Sequence, residues 1–157
     1  MSRRKIDNID RKILAELQRD SKQTNVELAA KVGLSASPCL ARVKQLERDG
    51  ILKGYVGLVS PEALGLMITV FIQVTLERQA EKTLGVFESR IRAFPEVMEC
   101  YLMSGDSDYL VRVVVPDVEA LQHFIVQDLT TIPDVANIRS SFALKQVTYK
   151  TALPVSC

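Results

Sequence analysis

Asn25–Gly50 reads NVELAAKVGLSASPCLARVKQLERDG, and its spacing predicts two short helices joined by a tight Gly-Leu-Ser turn, a helix-turn-helix. Thr24 and Glu27 stand in the T-x-x-E spacing of a capping box. There the hydroxyl accepts from an N3 amide and the carboxylate accepts from the cap amide, so a helix opens at this point. Leu28, Ala29 and Val32 give that helix one apolar face. Gly33 supplies the left-handed residue that ends it, and Ser35 or Ser37 caps the next, with Pro38 tolerated because first-turn amides have no helical partner. The second helix is expected to run to Gly50.

In that second helix Leu40, Val43 and Leu46 recur at helical spacing and are expected to face the body of the domain. The opposite side then carries Ser37, Pro38, Ala41, Gln45 and Arg48, flanked by Arg42 and Lys44, with Ser35 at the entrance. Glu47 and Asp49 lie off it. A solvated helix in any small helical domain has a similar polar face, so the amphipathic pattern alone decides nothing. The turn, the caps and the missing carboxylates favour DNA. Small residues allow close approach in the major groove, glutamine pairs with adenine, and cations meet phosphate or guanine.

The chain has 157 residues, 47% hydrophobic and 25% charged, which fits one soluble globular domain or two small ones. No apolar run reaches membrane-spanning length, and the basic N-terminus MSRRKIDNID lacks the apolar stretch of a signal peptide, so a cytoplasmic protein without membrane contact is expected. Cys39, Cys100 and Cys157 are odd in number and widely spaced, and free thiols are expected rather than a disulfide framework or zinc site. With His123 the only histidine, triad chemistry and histidine metal sites have almost no material. No catalytic residue, metal or cofactor is expected. Up to Gly54 the chain carries twelve cations and seven carboxylates, net +5, and the remainder is net −4. A basic head on an acidic body is the pattern of a DNA-binding module joined to a module of another kind.

Taken in order, Ile6 to Asp20 places Ile6, Ile9, Ile13, Leu14 and Leu17 on one helical face, with Asp7 as N-cap. Ile51 to Ser60 has strand-like character, weakened by two glycines, and is read as a connector or a simple winged hairpin. Strands are expected over Met67–Glu77, Val97–Ser104, Asp108–Val115 and Ala136–Tyr149. Helices are expected over Glu81–Phe94, with Leu84, Phe87, Ile91 and Phe94 inward, and over Asp117–Thr131, carrying Val118, Leu121, Ile125 and Leu129. The order strand, helix, strand, strand, helix, strand predicts a ferredoxin-like βαββαβ sandwich. The chain is thus read as α+β. It has a helix-turn-helix, winged-helix-like domain over 1–50, a linker strand and connector over 51–66, and a ferredoxin-like domain over 67–157.

Helices cover only one face of such a sheet. Alternation assigns Val70, Ile72, Val74 and Leu76 to one side of the first strand and Phe71, Gln73 and Thr75 to the other; Leu110, Arg112 and Val114 oppose Val111, Val113 and Val115. An uncovered face bearing Phe71, Leu110 and Val114 would be an apolar patch on a monomer, and a homodimer through the sheets would bury it.

Between the second and third strands lies Met103-Ser104-Gly105-Asp106-Ser107-Asp108-Tyr109. Turn chemistry alone accounts for Gly105 and Asp106 in a tight hairpin. The same residues also suit an amino-acid site, with Asp106 or Asp108 for an ammonium group and free amides near glycine for a carboxylate.

Two segments carry a family resemblance. VGLSASPCLARVKQLERDGILKGY, from Val32, closely resembles the recognition helix and exit strand of the Lrp/AsnC, or feast/famine, transcription regulators, and CYLMSGDSDYL, from Cys100, resembles their effector loop. The order of elements matches over nearly the whole chain. The resemblance implies that this helix reads DNA, so that Ser35, Ser37, Pro38, Ala41, Arg42, Lys44, Gln45 and Arg48 on its entry and outer face are the expected DNA-binding residues, and it implies a connector strand near a dimer axis and dimers assembling into rings, commonly octamers. It further implies a leucine-like free amino acid held between dimers by Leu102, Met103, Ser104, Gly105, Asp106, Ser107 and Asp108, with Val118, Pro133 and Val135. Relatives often carry an aromatic residue at the position of Ser107, so this pocket would be roomier or more polar. Two rivals remain at this stage: an amino-acid-binding subunit of an enzyme, and an architectural DNA-bending protein without an effector.

Overall fold

The computed structural model describes residues 5–155. Arg3, Arg4 and Cys157, which entered the charge count and the free-thiol expectation, lie outside the described residues. The chain separates into two compact units, one holding the residues to Leu58 together with those from Val147, the other Val59–Gln146.

The first unit is trihelical: α1 Asn8–Arg19, α2 Asn25–Val32 and α3 Ala36–Arg48. Both expected starts are reciprocal capping boxes. Asp7 accepts from Asp10 N at 2.8 Å and the Asp10 carboxylate returns to Asp7 N at 3.4 Å; Thr24 Oγ1 accepts from Glu27 N at 3.3 Å and Glu27 from Thr24 N at 2.7 Å. Each such cap contributes about 1 kcal/mol. Gly33 ends α2 in the left-handed region with φ 74 and open space where a Cβ would stand, so the backbone angle alone favours glycine there. The core is Ile13, Leu17, Leu28, Ala29, Val32, Cys39 and Leu46.

One expected core position is corrected. Leu40 is 41% exposed, whereas Cys39 is fully buried beside a half-buried Val43 and a buried Leu46. Cys39, Val43 and Leu46 form an i, i+4, i+7 stripe, and against α1 and α2 that stripe, one residue round from the expected one, is the one that closes the core.

Residues 51–60 form no strand, and Tyr55, Val56, Leu58 and Val59 are exposed. Among the described residues no neighbouring edge supplies ladder hydrogen bonds to this segment, so neither a hairpin wing nor a paired exit strand is seen there. Tyr55 is nonetheless tied back to α3 by donating to Glu47 Oε1 at 2.9 Å. Burial, with this bond to Glu47, pushes its hydroxyl up to about 12. The C-terminal segment also belongs to this unit: the Gln18 side chain accepts from Leu153 N at 2.7 Å and donates to Leu153 O at 3.1 Å, bonding that residue as a strand would.

In the second unit β1 Ile68–Leu76, α4 Glu81–Ile91, β2 Val97–Leu102, β3 Tyr109–Val115, α5 Val118–His123 and β4 Val135–Phe142 follow in the expected βαββαβ order. The sheet runs β2-β3-β1-β4, with every neighbouring pair antiparallel. Strand alternation holds: Val70, Ile72, Val74 and Leu76 meet Val111, Val113, Val115, Phe87, Ile91, Phe124 and Leu129 in one core. Phe87 and Tyr109 pack at 4.4 Å between ring centroids, and Phe94 meets Phe124 edge-on at 5.4 Å.

The end of the last strand and the course of the second helix differ from expectation. The last strand stops at Phe142 instead of Tyr149, because its partner β1 begins at Ile68; after Ala143 N donates to Thr69 O at 2.9 Å there is nothing left to pair with. The second helix is α only to His123 and then widens into a π turn, Phe124–Asp128, and a 3-10 turn, Leu129–Thr131. Widening to about 4.4 residues per turn lets Phe124 and Leu129, five apart, face the core together. Val118 is 58% exposed at the first turn of this helix.

On the sheet face away from the helices, Phe71 is 37% exposed and Leu110 half-buried, but Val114 is 5% exposed and leaves the expected patch. Arg112 donates to Glu99 at 3.0 Å across the strands β3 and β2 on that same face.

Candidate nucleic-acid interface and effector loop

The outer surface of α3 is a single stripe. Ser37, Leu40, Ala41, Lys44 and Arg48, at offsets of three, four, seven and eleven, line a shallow pocket of about 300 Å³. Ser35 is the N-cap and makes no side-chain cap bond, so its hydroxyl is not spent on the helix; Pro38 stands exposed in the first turn. Asn25 Nδ2 donates to Ala36 O at 2.7 Å and fixes the start of α3 against the start of α2. Gln45 is half-buried, donating to Asp49 Oδ1 and accepting from Arg48 Nη2, both at 2.7 Å. These bonds link Arg48, Gln45 and Asp49 side by side along the C-terminal half of the helix.

Arg42 departs from the expected cationic face. Its guanidinium donates to Asp7 Oδ2 at 2.7 Å and to Asp10 Oδ1 at 2.9 Å, and the Asp10 side chain is 0% exposed. Hydrogen bonding to Asp7 and Asp10 raises the Arg42 pKa further. A cation so engaged is a fastener between α3 and the first turn of α1, because releasing it toward a phosphate would break a charge-assisted bond to a buried carboxylate. Lys44 and Arg48 are the exposed cations of the stripe.

In the second unit, Met103 N donates to Asp108 O at 2.8 Å and closes the β2–β3 hairpin. Gly105 has φ 142, a conformation that side chains rarely adopt, which accounts for glycine there. Asp106 is exposed and Ser107 half-buried. Asp108, the alternative ammonium partner, is 6% exposed with both oxygens occupied: Oδ2 accepts from Leu76 N at 2.7 Å and Oδ1 from Gln79 Nε2 at 2.6 Å. The two bonds make Asp108 a clamp joining the loop to the end of β1, and its burial leaves Asp106 as the exposed carboxylate of the loop.

The other expected effector residues split. Val135 pairs with Leu76 at the end of β1 to which Asp108 is bonded, so Pro133 and Val135 share the loop's end of the sheet. Val118 follows the far end of β3, seven residues from the loop, about 23 Å along an extended strand. Within one chain it does not join the loop. Leu102 and Met103 are exposed apolar side chains beside Ser104.

Sequence reasoning missed two features. One is Leu40, hidden by counting leucine ahead of cysteine as a core residue; the i, i+4, i+7 spacing of Cys39 was the available signal. The other is a pocket of about 380 Å³ between α4 and β2, lined by Glu88, Ile91, Arg92, Met98, Cys100, Leu102 and Tyr109 among others. Glu88 accepts from the buried Tyr109 hydroxyl at 3.1 Å and pairs with Arg92 at 3.0 Å. Burial pushes the Cys100 thiol up to about 11, with the Glu88 charge adding to it. Among the described residues no group of acidic, histidine and cysteine side chains is placed to hold a metal ion, and no helix is long and apolar enough to cross a membrane.

Comparison with known proteins gives two matched regions. Residues 6–53 match a winged helix-turn-helix DNA-binding domain and residues 69–153 match the Lrp/AsnC ligand binding domain. The chain is 45% identical to the Bkd operon transcriptional regulator of Pseudomonas aeruginosa over 150 residues, covering 96% of this chain and 98% of that one. It is 40% identical to the leucine-responsive regulatory protein of Klebsiella pneumoniae, covering 96% and 92%. Among solved structures, a transcriptional regulator from Neisseria meningitidis in complex with L-methionine superposes with a TM-score of 0.90 at 41% identity, covering 96% and 97%.

Proposed function

The chain belongs to the Lrp/AsnC family of transcriptional regulators, with a DNA-binding head and an amino-acid-binding domain and no enzymatic role, and from that premise we propose which residues do each job. The observation that carries the proposal is the exposed stripe of α3, cationic at Lys44 and Arg48 and small at Ser37 and Ala41. Ser35, Ser37, Pro38, Ala41, Lys44, Gln45 and Arg48 approach double-stranded DNA in the major groove, and Arg42 holds their helix in place. The protein works in the cytoplasm, where the DNA of such a regulator is found.

The effector is an apolar, leucine-like free amino acid. Asp106 receives its ammonium group, amides around Gly105 its carboxylate, and Leu102, Met103, Pro133 and Val135 its side chain. Val118 completes the pocket from a neighbouring subunit, since it lies at the other end of β3 from the loop. The dimer forms through the sheet face bearing Phe71 and Leu110, and dimers assemble further into an even-numbered ring, an octamer by the family resemblance. The effector acts by favouring one assembly over another, with a coupling of about 1 to 3 kcal/mol between linked sites.

Support for an apolar effector is the exposure of Leu102 and Met103 beside the one free carboxylate of the loop. A thermal-shift screen against the twenty amino acids tests it, because a ligand at a hundred times its Kd stabilises the native state by about 2.7 kcal/mol. The amino acids that raise Tm then go into gel-shift and sedimentation titrations. Stabilisation by apolar amino acids that also alters DNA binding is expected; no response, or a response confined to charged amino acids, refutes the assignment.

A further inference from the structure

We propose that Leu40 reads the C5-methyl group of a thymine, making it a specificity-determining residue of the DNA interface. The proposal rests on α3 being the DNA-reading helix. A singly exposed leucine is ordinary on any surface, so its 41% exposure decides nothing alone. Its setting does. Leu40 stands at the middle of the outer stripe, with Ser37 and Ala41 beside it and Lys44 and Arg48 farther along the same pocket. The small neighbours let a base edge come close, and the exposed cations suit a polyanion rather than an apolar protein surface. Leu40 is the fifth residue of α3 and lies in its N-terminal half, the part of a recognition helix that meets base edges.

The side chain cannot donate or accept a hydrogen bond, so it cannot read the polar pattern of the groove. Thymine presents the one apolar group on the major-groove edges of the four bases, its methyl. Leucine against that methyl removes both from water, and leucine against the amino group of cytosine or adenine leaves a donor unpaired. Leu40 therefore favours thymine by attraction and disfavours other bases by desolvation.

Deoxyuridine differs from thymidine by that methyl alone and keeps the same hydrogen-bonding edge, which makes it the probe. Duplexes selected by the full-length protein from a random pool are resynthesised with each thymine singly replaced, and affinity is read by fluorescence anisotropy. For the wild type, one thymine per half-site should matter, with affinity falling about fourfold per half-site for the lost methyl. Leu40→Ala should bind thymine and uracil duplexes equally at that position, while Leu40→Met, which keeps an apolar tip, should retain most of the discrimination. Circular dichroism of both variants confirms the folded head.

Leu40→Ala retaining the wild-type thymine preference overturns the proposal, as does a wild type indifferent to uracil at every position. If that indifference comes with self-association that Leu40→Ala abolishes in sedimentation, a second copy covers the leucine instead. A wild type that selects no duplex from the pool refutes the DNA-reading role of α3 itself, a different failure from the loss of methyl discrimination alone.

Discussion

Replacing Arg42 by alanine separates two roles that a cation on a DNA-reading helix can have. Arg42 bonds Asp7 Oδ2 at 2.7 Å and Asp10 Oδ1 at 2.9 Å, with its own side chain 30% exposed, Asp7 50% and Asp10 0%. The bond to half-exposed Asp7 is screened and contributes less than about 1 kcal/mol. The bond to buried Asp10 is charge-assisted and contributes about 2 kcal/mol. Arg42→Ala should therefore destabilise the head by roughly 2 to 3 kcal/mol, which in a unit this small lowers Tm by roughly 10 to 20 °C. In an Asp10→Asn background the cost should shrink, since the two side chains share one interaction. DNA affinity measured in the cold, well below Tm, should keep the wild-type dependence on salt. Lys44→Ala should do the opposite, with stability changed by less than about 0.5 kcal/mol and the slope of log affinity against log salt flattened by about 0.9 per lost phosphate contact. Differential scanning fluorimetry and salt-titrated anisotropy read the two quantities separately. An Arg42→Ala protein of unchanged Tm with a flattened salt slope would refute the fastener and restore Arg42 to the phosphate-binding set.

Further outcomes follow from the same geometry. Asp108→Ala should cost about 1 to 3 kcal/mol, because Leu76 N loses its acceptor in a buried site; Asp106→Ala should leave urea stability intact and weaken only the amino-acid response in gel shifts. Thr24→Ala should cost about 1 kcal/mol through the lost cap, measured by thermal unfolding. Hydrogen bonds from Asp10 N and then from Arg42 hold the Asp7 carboxyl below its ordinary range. A depressed folded pKa gives stability that is present above the unfolded value and lost as pH falls through the folded one, so acid titration below about pH 4 should lower the Tm of the head and Asp7→Asn should remove that part of the pH dependence. Cys100, with its thiol pushed up to about 11, should resist alkylation at pH 8 in the native protein and react once unfolded, as peptide mass spectrometry would record.

What can be read along the chain and what cannot divides by the range of the interaction. Capping boxes at Asp7 with Asp10 and at Thr24 with Glu27, the left-handed Gly33, the two-residue alternation of β1 and the glycine of the hairpin all depend on neighbours within a few residues, and the structure has each where the local pattern puts it. The βαββαβ order follows from those local choices once the helices must cover one sheet face. Other features depend on what lies opposite in space. Cys39 and Leu40 are adjacent on α3 and either could have turned inward; the packing of α1 and α2 chose the cysteine and left the leucine outside. Arg42 and Asp108 carry the residue types of a phosphate contact and an ammonium site, yet partners 32 residues away, Asp10 and Leu76, take up their hydrogen bonds. Charge type is written in the sequence, whereas whether a charge is available is decided only when the chain brings its partners together.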